Sequence, residues 1–181
     1  MENRRNFIKK TSLLSLGMVS YAFNLPIIKN VGGVDISVIT YSFQAGTEDM
    51  GTIIQYCLDS NSDNIELMGN HVERSIGMPR SRKDSAGWRA NVSMKEFKKV
   101  KKEFGQKGIN IFAYKPYCMS PGNKDEEIEY AMKATKTLGA DYVTAELTDV
   151  TNTKRISYYA EKHDVKAVSY THLTLPTICS V

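Results

Sequence analysis

The sequence predicts an α/β fold built on a parallel sheet. The clearest sign is the stretch 108–147, which has the order strand, loop, helix, strand. Similar strand–helix pairs precede and follow it, so residues 34–168 are expected to contain about four βα units and the start of a fifth strand. Because a βαβ crossover joins parallel strands, this order favours a partial (β/α)8 TIM barrel, whose complete form needs roughly 200–250 residues.

The central βαβ unit carries a signal at each of its boundaries. An apolar run from Ile109 is typical of a strand buried on both faces. Asn123 and Asp125 offer N-cap oxygens to the helix, and Gly139 is expected to close it in the left-handed conformation. The next strand begins at Tyr142. The predicted inward face of the helix is Ile128, Ala131, Met132, Thr135 and Leu138.

The units on either side follow the same logic. A first strand is predicted over 34–42, and Thr47 is the expected cap of the helix behind it. A second strand covers 64–69 and leads into a long polar passage, 70–92. The predicted inward face of the first helix is Ile53, Ile54, Cys57 and Leu58. The helix that follows the polar passage has the predicted face Phe97, Val100 and Phe104, and the last helix has Ile156, Tyr159 and Ala160.

Two sequence patterns are absent, and each absence argues against one kind of site. No glycine-rich phosphate fingerprint follows the first strand, which disfavours a dinucleotide-binding fold. Cys57, Cys118 and Cys179 have no metal-ligand spacing, and we expect reduced or buried thiols.

The positive charge of the chain is concentrated at its N-terminus. Residues 1–30 hold five basic residues and one acidic residue, which accounts for the whole net charge of +4. The remainder is electrically balanced, so the usual electrostatic argument for a nucleic-acid partner is absent. We therefore expect no nucleic-acid partner.

The stretch 4–9, RRNFIK, resembles a twin-arginine export signal, and the uncharged, moderately apolar residues 11–28 follow it. This resemblance implies a bacterial protein that the twin-arginine machinery exports to the periplasm. No small-x-small cleavage site is apparent near Ala22, so an uncleaved leader that anchors the protein is the alternative. Without such an anchor, no stable membrane span is expected.

The last thirteen residues, SYTHLTLPTICSV, have no acidic or basic side chain and no helical period. They resemble translated sequencing-adapter read-through, so we expect residues 169–181 to be a non-native tail. A genuine terminal strand is the alternative. We assign no function to His172, Pro176 or Cys179.

Four phrases of the sequence resemble exported members of the sugar phosphate isomerase/epimerase family, which has a xylose isomerase-like TIM barrel. They are ITYSF at 39–43, IELMG at 65–69, TAE at 144–146 and YAEKH at 159–163. The resemblance covers 34–168. It implies a divalent metal held by Glu, Asp and His residues, and acid/base groups that move a proton or hydride between neighbouring carbons. In relatives most of those ligands lie on strands five to eight, so we assign no metal ligand here.

The candidate site residues lie at predicted strand ends, where a barrel carries its chemistry. Glu146 is a candidate for a substrate-binding or acid/base carboxylate, and Glu66 for binding a sugar hydroxyl or assisting the metal. The basic stretch 74–89 is a candidate contact for a phosphate or an acidic sugar. The substrate-binding candidates are His71, Lys115, Tyr117 and Trp88.

Each candidate also has a purely structural interpretation. Glu66 is equally an ion-pair partner in the barrel wall, and His71 a solvated loop histidine. Lys115 and Tyr117 are equally outward-facing packing residues. Trp88 either stacks on a sugar ring or anchors its loop, and the basic stretch around it is equally a solvated loop.

Three functions stay open on the sequence. The first is a metal-assisted isomerase or epimerase of sugars or related polyols, for which this chain alone is expected to be inactive because half a barrel leaves its core unclosed. The second is a non-catalytic carbohydrate-binding barrel. The third, an endonuclease for abasic DNA, is disfavoured by the charge balance and the export signal.

Overall fold

The computed structural model describes residues 30–31, 33–43, 49–146 and 149–170. Residues 1–29 of the export signal predicted over 1–30, the predicted cap Thr47 and residues 171–181 of the predicted tail lie outside the described residues.

The described strands and helices are the following. The strands are β1 (Asn30–Val31), β2 (Val34–Asp35), β3 (Val38–Ile39), β4 (Asn64–Met68), β5 (Asn110–Lys115), β6 (Tyr142–Glu146) and β7 (Lys166–Tyr170). The α-helices are α1 (Met50–Asp59), α2 (Gly69–Ser75), α3 (Arg82–Asn91), α4 (Met94–Gln106), α5 (Asp125–Leu138) and α6 (Val150–His163). A 3-10 helix covers Thr40–Phe43.

Five of the strands form one parallel sheet in the order β3-β4-β5-β6-β7, which is also their order in the chain. The two-residue strands β1 and β2 pair antiparallel with each other. The prediction of an α/β fold with a parallel sheet is therefore confirmed, and so is the strand that was expected to begin after the last helix.

The two faces of the sheet have different surroundings. Ile65 and Leu67 of β4 and Val143 of β6 are fully buried in the core cluster together with side chains of the helices. The opposite face is open: a pocket of about 220 Å³ is lined there by side chains that include Glu66, Thr144 and others from β5 and β7. One face of the sheet is thus packed against helices while the other is accessible.

The helical faces that the sequence predicts most clearly are buried. Phe97, Val100 and Phe104 of α4 are at most 3% exposed, and the predicted face of α5 is buried throughout. Gly139 ends α5 with φ of 77°, the left-handed conformation that the sequence predicted. On α1, Leu58 is 38% exposed, so the predicted inward face ends at Cys57.

Three boundaries differ from the prediction. The residues expected to form one strand over 34–42 divide into β2, β3 and the 3-10 helix. The cap of α1 is Asp49, whose carboxylate accepts from the Thr52 amide at 2.8 Å. The residue before α5 is Lys124, and Glu127 accepts from its amide at 3.2 Å, so neither Asn123 nor Asp125 occupies the cap position.

The polar passage 70–92 contains two helices, α2 and α3, that hydrophobic periodicity did not reveal. The inward face of α3 includes Ser85 and Arg89, which are 6% and 9% exposed, with the partly buried Trp88 between them. The spacing is helical, but the buried residues are polar, so a search for apolar residues passes over this helix.

Strand β7 continues two residues into the predicted tail. Ser169 pairs with Ala145, and Tyr170 pairs with Glu146, in register with the rest of the parallel ladder. These two residues extend the sheet as far as the end of β6.

The cysteines that the structure describes are buried and free. Cys57 and Cys118 are both 0% exposed. Burial raises the pKa of the Cys57 thiol to about 11 and raises that of Cys118 well above its usual value. For these two residues the prediction of buried thiols is confirmed.

We predict opposite effects for two glycine-to-alanine changes in helices. A Cβ at Gly69, the first residue of α2, would lie 2.8 Å from the Pro116 Cα and 2.9 Å from the Lys115 carbonyl oxygen. Gly69→Ala is therefore expected to lower the free energy of unfolding by about 1–3 kcal/mol, because backbone must move. Gly87→Ala in α3, where a Cβ would meet nothing within 4 Å beyond its chain neighbours and the helix's own backbone, is expected to raise it by about 0.5–1 kcal/mol. Urea unfolding checks both, and effects of the same sign would contradict this packing.

Candidate functional site

The carboxyl ends of β5 and β6 form a small pocket of about 130 Å³, which we call the carboxyl-end pocket. It is lined by Lys115, Pro116, Tyr117, Met119, Ser120, Ala145 and Glu146. Three of the six sequence-predicted site residues, Lys115, Tyr117 and Glu146, therefore lie together. Parallel strands bring residues at their carboxyl ends to one edge of the sheet, which explains why these three residues lie together.

Lys115 and Glu146 are an oppositely charged pair within this pocket. The Lys115 Nζ lies 3.8 Å from Glu146 Oε1, too far for a hydrogen bond but within reach of a shared ligand. The Lys115 side chain is 14% exposed, whereas that of Glu146 is 63% exposed. The pair thus offers a sheltered cation and an accessible carboxylate to an oxygen-rich molecule.

Tyr117 stands at the rim, with 48% of its surface exposed. Partial burial raises the pKa of its hydroxyl, and the neighbouring Tyr41 and Glu146 contribute in the same direction. The phenol therefore stays protonated at neutral pH and can donate a hydrogen bond. Its ring also lines a second pocket, described below.

Glu66 lies on the open face of the sheet and not in the carboxyl-end pocket. The Thr144 hydroxyl donates to Glu66 Oε1 at 2.5 Å, across the intervening strand β5. Ala113 occupies the paired position on β5, and its small side chain leaves room for this contact. Glu66 consequently lies deeper along the sheet than Glu146, in the open-face pocket.

His71 is in helix α2 and not in a solvated loop, and it is 5% exposed. Its Nδ1 lies 3.1 Å from Thr40 Oγ1, and the same oxygen accepts from the Met68 amide at 3.0 Å. The Thr40 hydroxyl can accept from the Met68 amide and donate to Nδ1 at the same time, and in that arrangement Nδ1 is the acceptor of a neutral imidazole. Burial lowers the pKa of His71, which agrees with a neutral ring.

Trp88 packs in the core cluster rather than against either pocket described above. It is partly buried, and its ring meets Tyr130 edge-on with 6.4 Å between ring centroids. This contact is the one expected of an anchor for helix α3.

A larger pocket of about 560 Å³ lies beside the carboxyl-end pocket, and we call it the lateral pocket. Helices α2 and α3 and the segment 117–127 form its walls. The side chains on which its chemistry depends are Asn70, Arg74, Arg80, Arg89, Lys124 and Glu127. Its volume is in the range of natural ligand sites.

A buried ion network forms the floor of the lateral pocket. Arg89 binds Glu73 through two parallel hydrogen bonds of 3.0 and 2.9 Å and reaches Glu127 Oε1 at 3.1 Å. The Tyr130 hydroxyl donates to Glu73 Oε1 at 3.0 Å, and burial raises its pKa. The second oxygen of Glu127 accepts from Asn123 Nδ2 and from the Lys124 amide. Each carboxylate oxygen is therefore occupied.

No local pattern in the sequence reveals this network. Glu73 and Arg89 lie 16 residues apart and Arg89 and Glu127 lie 38 apart, so no local spacing links them. The signal in the sequence was the pair Ser85 and Arg89 at helical spacing in a stretch without apolar periodicity.

The residues present do not form a metal centre in the described part of the chain. No group of three or more His, Cys, Asp or Glu side chains that could hold a metal ion occurs among the described residues. The Glu66 carboxylate accepts from Thr144, His71 contacts Thr40, and Glu146 lines the carboxyl-end pocket, which neither of the other two lines, so these three candidates do not converge. No helix in the described ranges has the length and apolar character needed to cross a membrane.

The fold is similar to that of an uncharacterized protein from Parabacteroides distasonis, known from a crystal structure. The TM-score is 0.55 and the sequence identity 16%, over 75% of this chain and 52% of that one. The chain therefore spans about half the length of the solved structure it matches. At this identity the similarity shows the fold alone. Searches against the models of known protein families and against curated proteins find no match.

We predict a pH effect from the burial of His71. Because its pKa in the folded protein is lowered from the usual 6.5, the unfolded chain takes up this proton first as the pH falls. The free energy of unfolding should thus decrease between about pH 7 and pH 5, and His71→Gln should make this decrease shallower. Titration of the His71 ring by NMR is expected to give a pKa below 6.5. The control is His163→Gln, which should leave the titration of His71 unchanged. A His71 pKa above 6.5 would contradict the burial of its imidazole.

We also predict that removing the shared cation of the buried network is costly. Arg89→Met leaves the carboxylates of Glu73 and Glu127 buried without their partner and is expected to lower the free energy of unfolding by about 3–5 kcal/mol. The control is Lys99→Met, which removes a pair with Glu96 in which the lysine is 67% exposed. That change should cost at most about 1 kcal/mol. If chemical unfolding showed that the two variants lose similar amounts of unfolding free energy, the result would argue against the network.

Proposed function

We propose that this chain forms the N-terminal half of a (β/α)8 barrel and that the complete protein is a metal-assisted isomerase or epimerase of sugars or related polyols. The observation that carries the proposal is that five parallel strands lie side by side in chain order. A doubly wound sheet reverses its strand order at a switch point, whereas a barrel sheet continues in chain order. The strand order therefore supports the barrel.

The side chains on the open face also support this architecture. In a closed barrel that face becomes the interior, which is filled by layers of side chains from alternate strands. Glu66 and Thr144 come from β4 and β6, and their hydrogen bond links two such alternate strands. In the proposal Glu66 is a catalytic-site carboxylate that lies one layer below the mouth.

The side chains at the barrel mouth have the chemistry that a polyhydroxylated substrate requires. Lys115 donates to a sugar oxygen, and the phenol of Tyr117 orients a second oxygen. Glu146 accepts from a sugar hydroxyl and is the acid/base group that moves a proton between neighbouring carbons. Its exposed carboxylate, 3.8 Å from the Lys115 ammonium, is accessible to such a ligand.

None of the described residues is proposed as a ligand of the divalent metal. In the same proposal the twin-arginine machinery exports the protein to the periplasm, and a retained leader would anchor it there.

Ligand-observed NMR on the 181-residue chain tests the binding part of this proposal, with aldoses, ketoses and the corresponding polyols as probes. We expect weak binding that Glu146→Gln and Lys115→Met each reduce by about tenfold, the effect of losing one hydrogen bond to a charged group. The matched control is Glu161→Gln on the exposed surface of α6, which should leave binding unchanged. A chain that binds none of these probes would overturn the proposal.

Catalysis is tested by following exchange of the carbon-bound proton next to the carbonyl in D2O, with Mg²⁺ or Mn²⁺ present. We expect exchange from a protein with eight βα units and none from the 181-residue chain, whose half barrel is unclosed. Binding without exchange by the eight-unit protein would favour the non-catalytic carbohydrate-binding barrel. Exchange by the 181-residue chain would contradict the requirement for a complete barrel.

A further inference from the structure

The lateral pocket has a net positive charge although carboxylates lie within it. Four cationic side chains, Arg74, Arg80, Arg89 and Lys124, line it together with the two carboxylates of Glu73 and Glu127, which leaves two positive charges. Arg89 is shared by both carboxylates, so the ion network carries one net negative charge, which is smaller than the combined positive charge of Arg74, Arg80 and Lys124. The pocket is therefore suited to an anion.

Arg74 is the cation that the structure orients most clearly toward such a role. Its Nη1 donates to the Met78 carbonyl at 3.2 Å, and Nη2 lies 3.5 Å from the Arg80 carbonyl oxygen. Carbonyl groups position a guanidinium but carry no formal charge, so Arg74 keeps its positive charge. A guanidinium held in this way retains further N–H donors for a planar or tetrahedral oxyanion.

Asn70 gives an independent indication of a ligand. It lines the lateral pocket, and its Oδ1 is a buried atom that has no hydrogen-bond partner among the described residues. Burying a polar atom without a partner is unfavourable, and such atoms are rare in folded proteins. A ligand hydroxyl in the pocket would supply the missing donor.

The lateral pocket and the carboxyl-end pocket are adjacent, because Tyr117 lines both of them. One molecule can therefore place an anionic group beside Arg74 and its hydroxylated carbons beside Lys115 and Glu146. A small neutral sugar would leave the lateral pocket without a charged partner.

We propose that the lateral pocket is an anion subsite that binds the carboxylate or phosphate of a hydroxylated substrate whose carbon chain extends into the carboxyl-end pocket. This inference rests on the proposed function, since it assigns the substrate class of the same site. The shared chemistry is an oxyanion joined to a polyol, found in sugar acids and in sugar phosphates alike.

The test compares gluconate, glucose 6-phosphate and the neutral glucitol as probes, by calorimetric titration of the 181-residue chain. We expect at least one of the two anions to bind about tenfold more tightly than glucitol, as one hydrogen bond to a charged group would allow. Which anion binds more tightly separates a carboxylate subsite from a phosphate subsite. The preference should weaken as the salt concentration rises.

Arg74→Gln is expected to remove this preference, so that both anions bind as glucitol does, while glucitol binding stays unchanged. Arg74→Lys should restore part of the preference because it keeps the charge. The control is Lys102→Gln on the exposed surface of α4, a helix that does not line the lateral pocket, so the same charge is removed away from the site. Circular dichroism checks that each variant is folded, and Lys124→Gln serves in place of Arg74→Gln if that variant does not fold.

The remaining outcomes separate this inference from the proposed function. Equal affinity for the anions and for glucitol would overturn the anion subsite and leave the proposed function standing. Anion binding that Arg74→Gln and Lys124→Gln leave unchanged would also overturn it. If inorganic phosphate bound as tightly as glucose 6-phosphate, the lateral pocket would be a site for the ion alone. That result would overturn the proposal of a subsite for a hydroxylated substrate. Failure of all sugar probes would overturn both proposals.

Discussion

The buried ion network of Glu73, Arg89 and Glu127 is the interaction on which the carboxyl edge of this molecule depends. It joins α2, α3 and α5 at that edge, where Tyr130 also contacts Glu73 and Trp88. Desolvating these charges is costly, and the close fit of the guanidinium to two carboxylates offsets this cost together with the hydrogen bonds that Tyr130, Asn123 and the Lys124 amide donate. The network carries one net negative charge, so the three other cations that line the lateral pocket leave it with a net positive charge.

The parallel sheet provides the second constraint. Its strands follow chain order, its one face is packed against helices, and its other face is open and carries the hydrogen bond between Thr144 and Glu66. This arrangement places Lys115 and Glu146 side by side at the ends of neighbouring strands. The same geometry places Tyr117 between the two pockets, so that the proposed substrate contacts and the proposed anion subsite are parts of one surface.

Elements with a clear local signal could be predicted from the sequence. These signals involve residues close together in the chain. They are the apolar periodicity of α4 and α5, the glycine that ends α5, and the residues of high β-propensity in β6. Helix α3 could not be predicted in this way, because its inward face presents Ser85 and Arg89 and gains its stability from partners in other helices. Strand β3 is only two residues long, so the local β-propensity of the residues around it overstated its length.

The sequence by itself determined the parallel α/β architecture and the location of Lys115, Tyr117 and Glu146 at one edge, since strand ends follow from element order. Only the tertiary structure decided the surroundings of Glu66 and His71. Their partners, Thr144 and Thr40, lie 78 and 31 residues away in the chain. Helical periodicity and capping depend on residues that are near one another in the chain. The partner of a buried polar group depends instead on which distant segment packs within hydrogen-bond distance of it.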